Sequence, residues 1–269
     1  MQESHQSNPS AFIDEEAASN PLVAFLDRVE RLPDAIARRK RSYELLQIEK
    51  GSIVADIGCG AGTAVFEMDA LVRPGGSALG IDIHEPLLTA GRARASRRGI
   101  DVELKHGNAE ALPFADGSLH GYRAERLYQH LSKPEPFLKE AYRVLAPGGR
   151  IVLVDQDWDA MLFDSNDLAT TRAIAHAAAN GVANGTVGRQ YYRLLKDAGF
   201  VDVQVFADMH VSTNYNENGF FAEHWARVCD AMGVLPSDKL ESWIADQRNR
   251  AANGRFFMAI TYFIALGCR

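Results

Sequence analysis

Apolar positions along the chain change their period several times, and each change marks an element. Leu22, Phe25, Leu26 and Val29 fall on one face of a helix; Pro33 then interrupts, and Ile36, Tyr43 and Leu46 carry the same period into a second helix. From Ile53 onward strands and helices alternate. Residues 53–57 form an apolar run, a glycine-rich turn follows, and 63–72 reads as a helix. A second strand over 77–83, a helix over 85–98, and a short third strand carrying Val102 and Leu104 continue the series. Strands over 119–124 and 151–155, with a helix over 135–145 between them, complete a five-strand core at 51–157. Strands and helices of these lengths in alternation predict parallel βαβ units with right-handed crossovers.

The remainder predicts helices over 168–179 and 189–198, a strand over 201–206, two helices between 220 and 250, and a last strand from 256. The segment between those final strands carries Phe220, Phe221, Trp225, Met232 and Trp243, which makes it too apolar for a solvent loop. Core packing is the default for such a cluster. Its position between two strands favours a lid that also walls a substrate pocket.

Composition narrows the classes of function. Twenty-nine basic and 35 acidic side chains leave a net charge of −6, against nonspecific attraction to a polyanion such as duplex nucleic acid. The three cysteines, Cys59, Cys229 and Cys268, are too few and too scattered for a disulfide framework or a zinc knuckle. The histidines show no metal-ligand spacing, so no metal is expected. The polar, acidic start lacks a secretory pattern, and no run approaches the roughly 18 apolar residues of a membrane span, so a cytoplasmic setting is expected.

The strongest chemical signal is the stretch from Val54 to Thr63, which sets Gly58, Gly60 and Gly62 at alternate positions between a strand and a helix. Glycine lets a backbone approach a ligand and take positive φ without a Cβ clash. The dinucleotide fingerprint would need glycine where Thr63 stands, and no lysine follows to make a phosphate loop. Asp56, just ahead of the loop, suits an ammonium better than a pyrophosphate. Asp82 ends the second strand at the offset where nucleotide-binding α/β folds put a carboxylate against ribose hydroxyls. A lone acid there is equally a helix cap; the glycine loop beside it favours the ribose.

On these residues, together with Gly80-Ile81-Asp82-Ile83, the stretch from Gly107 to Phe114, and that from Arg143 to Arg150, the sequence resembles the class I S-adenosylmethionine-dependent methyltransferases. Within that class it is similar to the ubiquinone and menaquinone methyltransferase branch. Glu125-Arg126-Leu127-Tyr128-Gln129-His130-Leu131 and Asp155-Gln156-Asp157-Trp158 resemble a small-molecule subgroup of it. The resemblance implies an α/β, Rossmann-like, seven-stranded and mostly parallel sheet with an antiparallel last strand and a helical cap. It implies S-adenosylmethionine as cofactor, with Gly58, Gly60 and Gly62 holding the methionine part and Asp56 and Glu125 among the cofactor-binding residues. Asp82 would take the ribose, Ile83 would pack on adenine, and Asn108 and Ala109 would address the ring edge. Asn108 stands where the family usually has aspartate, so its bond to the adenine amino group lacks charge assistance.

Methyl transfer from a sulfonium is an in-line displacement in which positioning supplies most of the acceleration. Groups that act on the acceptor are expected at the carboxyl ends of the fourth and fifth strands: His130, Arg126, Tyr128 and Asp157, with Arg123, Gln129 and Asp155 nearby. His130 could be base, orienting group or packing residue; Arg126, four residues earlier, would share its helical face. Arg38-Arg39-Lys40-Arg41 reads as a solvated helix face, or as the segment, with Tyr43, that closes over the cofactor carboxylate. The expected partition is a tail and cap helices at 1–50, a cofactor-binding core at 51–207, a helical lid at 208–254 and a final strand at 255–269. The expected function is methylation of a small, ring-containing molecule, with a non-methylating scaffold or cyclase and a nucleic-acid methyltransferase as rivals. No nucleic acid or membrane partner is expected, and a homodimer is left open.

Overall fold

The computed structural model describes residues 20–269; the start of the expected tail lies outside them. Two helices come first, α1 (Pro21–Glu30) and α2 (Pro33–Leu46). Asn20 caps α1 by accepting the Leu22 N–H, and Pro33 opens α2 where its missing N–H costs nothing. The alternating unit then runs β1 (Ile53–Ile57), α3 (Thr63–Val72), β2 (Ser77–Asp82), α4 (Glu85–Arg98), β3 (Glu103–His106), β4 (Leu119–Glu125), α5 (Glu135–Val144) and β5 (Leu145–Phe163). After it come α6 (Leu168–Gly181), α7 (Val187–Asp197), β6 (Val201–Ser212), α8 (Tyr215–Ala231), α9 (Ser237–Ala252) and β7 (Met258–Cys268).

The seven strands form one sheet in the order β3-β2-β1-β4-β5-β7-β6, parallel throughout except for β7, which runs antiparallel to both neighbours. The order reverses beside β1, so the carboxyl ends of β1 and β4 flank the crevice where open parallel sheets gather ligands. Apolar side chains leave both sheet faces. One set, with Val54, Val152 and Val154, packs under α2, α3, α4, α6 and the α8–α9 pair; the other, with Ile57, Tyr122 and Leu153, packs under α5 and α7.

Two strands are much longer than their apolar runs predict. Beyond Asp157 β5 continues to Phe163, after a register shift, against the first residues of β7, while β6 extends to Ser212 against the same stretch. Together they form a three-stranded extension that carries Trp158, Met161, His210, Met258 and Ile260. The expected boundary at 207/208 therefore cuts through β6, and the helical insertion begins at Tyr215.

Candidate active site

Gly58, Gly60 and Gly62 all take positive φ, at 75°, 55° and 82°, which explains their type at these positions. A Cβ on Gly58 would meet the Leu127 side chain at 3.2 Å, and one on Gly62 would meet Leu104 at 3.0 Å. The loop is tied to β2 from within: the Gly58 and Cys59 N–H groups donate to the Ile81 carbonyl, and the Gly60 N–H donates to Asp82 Oδ2 at 2.7 Å. Asp82 Oδ1 accepts the His84 N–H at 2.8 Å. A carboxylate offers about four acceptor positions, so two remain for further donors at the crevice. Ile83, next along, is 60% exposed, an apolar side chain immediately after Asp82. Asn108 is exposed and accepts the Glu110 N–H through Oδ1, while Ala109 is buried beside it. These residues fit a nucleoside: a backbone cradle, a carboxylate with spare acceptor positions, and an apolar plate.

Asp56 does something different from what its place predicts. It is buried beneath the loop and accepts from Arg123 Nη1 at 2.7 Å, so the neighbouring charge it meets is a guanidinium of its own chain. Burial pushes its carboxyl up to about 6 against the pull of Arg123. Arg123 also donates to Ser42 Oγ on α2 at 2.8 Å and to Glu125. Burial would raise the Glu125 carboxyl, but Arg123, Arg126, Arg38 and Arg39 outweigh it and hold it below the usual range. Residues of β1, β4 and α2, distant in sequence, are thus bound into one buried charge cluster under the crevice.

Four acceptor-side residues were expected beyond β4 and β5, and the structure separates them. Arg126 takes φ 56°, donates its backbone N–H to Val154 and pairs with Glu30 of α1 at 3.5 Å, so it shares no helical turn with His130. His130 ends a single 3₁₀ turn (Tyr128–His130) and stays exposed; partial burial, then Arg126 and His84, lower its pKa and favour the neutral, proton-accepting imidazole. Tyr128 is a correction: it is fully buried on the α7 face, its hydroxyl 3.1 Å from that of Tyr122 and its ring edge-on to Tyr191, out of reach of any acceptor. Asp157 is a second correction. It is 1% exposed and held by both Arg189 Nε and Nη2, facing α7. A buried carboxylate needs such a partner, and the pair leaves it none of the freedom of a base.

Nor does the basic run form a uniformly solvated face. Lys40 and Arg41 are exposed, but Arg39 is buried in a two-pronged bond to Glu67 of α3, which also accepts from the Tyr43 hydroxyl at 2.8 Å. Arg39 and Tyr43 therefore clamp α2 to the helix behind the glycine loop and do not reach over it. Arg38, also buried, lies with its guanidinium 3.6 Å from the centre of the Tyr262 ring and pairs with Asp208 at 2.7 Å. Sequence reasoning missed Tyr262, His210 and Gln156. The last was quoted within a motif but given no role, although its alternation with Asp155 and Asp157 was the available signal.

The aromatic residues of the insertion divide. Trp243 packs edge-on to Phe163 and donates to Thr171, deep in the core, and Trp225 packs on Trp158. Phe220 meets Phe25 of α1 edge-on at 5.6 Å, and Phe221 faces an enclosed pocket with Trp158 and Tyr262.

The fold defines a nucleotide-type α/β domain, with the glycine loop and Asp82 at the carboxyl ends of β1 and β2. Residues 55–153 match the family model described as a methyltransferase domain. The chain is 32% identical, over 93% of its length and 72% of the other's, to an uncharacterised 37.1 kDa protein in transposon TN4556 of Streptomyces fradiae. It is 34% identical to a demethylmenaquinone methyltransferase of Listeria monocytogenes over 44% of this chain, and spans half the length of that relative. The solved YcgJ protein of Bacillus subtilis shares the fold, with a TM-score of 0.62 at 18% identity over 87% of this chain and 98% of the other. Residues 55–153 thus carry a methyltransferase domain of the class I S-adenosylmethionine-dependent type.

Proposed function

We propose that this chain transfers the methyl group of S-adenosylmethionine to a small, ring-bearing molecule that enters between the cap helices and the β5–β7–β6 extension. The observation that carries the reading is the cradle itself: three positive-φ glycines, Asp82 with unused acceptor positions and exposed Ile83 converge on one crevice. Asp82 would hold the ribose hydroxyls, Ile83 the adenine face, and Asn108 with Ala109 the ring edge. Bound S-adenosylmethionine supplies an electrophilic methyl on a sulfonium, a leaving group that departs neutral. The protein's own work is then to position the acceptor and keep water out.

His130 is the residue at the mouth that can accept a proton near neutral pH, as base or orienting group. The buried Arg123–Asp56–Glu125 cluster acts at one remove, by fixing β1, β4 and α2 beneath the loop. The acidic balance of the chain speaks against a nucleic-acid acceptor. Incubation with S-adenosylmethionine labelled in its methyl group and a panel of phenols, quinols and other ring compounds tests the reading. Appearance of label in a product supports it; product formed without label would point to a cyclase on the same fold.

A further inference from the structure

Beneath the cap, α1, α2, α8 and the strand extension enclose a pocket with room for about one water molecule. Its wall is mostly apolar, with Trp158, Met161, Phe221 and Ile260, and its polar groups are Arg38, Asp34, His210 and Tyr262. It adjoins the cofactor crevice, since Arg38 Nε lies 3.8 Å from Glu125 at the end of β4. Gln156 stands opposite Tyr262 in the β5–β7 register, so both side chains leave the sheet on the same side, beneath Arg38.

Two buried polar atoms on this face have no hydrogen-bond partner: Arg38 Nε, a donor, and Gln156 Oε1, an acceptor. Leaving such atoms unpaired costs about 1–3 kcal/mol each, so the pair, Arg38 in the pocket wall and Gln156 across the register from the wall residue Tyr262, points to a ligand group. The group must accept one bond and donate another, which a hydroxyl does; a carbonyl can only accept, and an ammonium can only donate.

Charge makes the same choice. Arg38 is already surrounded by Asp208 at 2.7 Å, Asp34 at 3.5 Å and Glu125 at 3.8 Å. A carboxylate or phosphate would meet three like charges, and an ammonium would meet the guanidinium.

We propose that Arg38, Gln156 and Tyr262 form the floor of the methyl-acceptor site and take an uncharged hydroxyl on a ring-bearing acceptor. This rests on the methyltransferase reading. Arg38 Nε–H donates to the hydroxyl oxygen, Gln156 Oε1 accepts the hydroxyl's hydrogen bond, and the apolar ring lies against Trp158 and Phe221. Entry requires α1 and α8 to part, breaking the Phe25–Phe220 contact and the Arg28 guanidinium's stacking over Phe220 at 5.5 Å.

Equilibrium dialysis with 2-naphthol, naphthalene and 2-naphthoate, with and without S-adenosylhomocysteine, tests the floor. The expected result is at least tenfold tighter binding of 2-naphthol than of either analogue, a preference lost in Gln156→Leu with affinity for S-adenosylhomocysteine within twofold of wild type. Arg38→Met should lose it too, but that change strands Asp208 and Asp34, so Gln156→Leu, which leaves no charge unpaired, decides. Naphthalene or naphthoate binding as tightly as the naphthol, an undiminished preference in Gln156→Leu, or no binding of any probe would overturn the proposal. Failure of S-adenosylhomocysteine to bind is a separate result that strikes the methyltransferase reading, and the probe preference is scored independently of it.

Discussion

Asp82 carries two duties, and they separate by magnitude. Its bonds to the Gly60 and His84 N–H groups brace the loop, while its remaining acceptor positions face the crevice. Asp82→Ala should cost about 1.5–3 kcal/mol of S-adenosylmethionine binding, the worth of hydrogen bonds to a charged group. Calorimetric titration giving wild-type affinity would remove the ribose assignment. Arg123 is a different case: Arg123→Met leaves the Asp56 carboxylate buried without its partner, and about 3–5 kcal/mol of stability should go in urea unfolding. Asp155 gives a pH signature. Burial pushes its carboxyl up to about 7, against bonds from Tyr191 and the backbone, while unfolding returns it to the usual carboxylate range near 4. A raised folded pKa means that its contribution is present at low pH and is lost as pH climbs from about 4 to about 7. Wild type minus Asp155→Asn should therefore fall in stability across that window, by up to ~1.4 kcal/mol per pH unit; a flat difference would contradict the assignment. The glycine loop was legible in the sequence because a positive-φ requirement is local. The Asp56–Arg123 pair was not, because its members stand 67 residues apart and meet only through the β1–β4 pairing.

At the scale of elements, the misread residues of the fifth strand share one cause: β5 does not stop at Asp155. Continued as a strand, it sends Asp155 and Asp157 toward α7, where Tyr191 and Arg189 receive them, and Gln156 and Trp158 toward the cap. Read as the end of a strand followed by a loop, Asp155 and Asp157 looked available for chemistry. The helical period assumed between Arg126 and His130 failed similarly, because the chain turns through a left-handed residue there. Ion pairs fasten α1 of the cap. Asp27 of α1 pairs with fully buried Arg94 of α4 at 2.5 Å, and Glu30 pairs with Arg126. Glu30→Gln should speed proteolytic cleavage within α1, and S-adenosylmethionine should slow it in wild type, since a cap that excludes water closes over bound ligand. Equal cleavage rates with and without the cofactor would make α1 and α8 ordinary core helices.

At the scale of the molecule, the alternation of strands and helices was enough to foresee the five-strand parallel core, because βαβ units admit few arrangements, while the seven-stranded sheet with a reversed last strand was what the family resemblance implied. It could not foresee the sheet's second storey, the extension beyond Asp157 that walls the pocket, because a register shift interrupts its alternation between Asp157 and Met161. The net charge of −6 belongs to this scale as well. It predicts that the protein passes a heparin column at moderate salt, and retention there would revive a polyanionic acceptor. The central claim is that one crevice holds S-adenosylmethionine with its methyl directed at the capped pocket. A crystal structure with S-adenosylhomocysteine tests it most directly. The account predicts ribose hydroxyls within hydrogen-bonding distance of Asp82, adenine against Ile83, and the sulfur facing the space between His130 and the Arg38–Gln156–Tyr262 floor; a nucleoside bound elsewhere, or a sulfur turned away from that space, would contradict it.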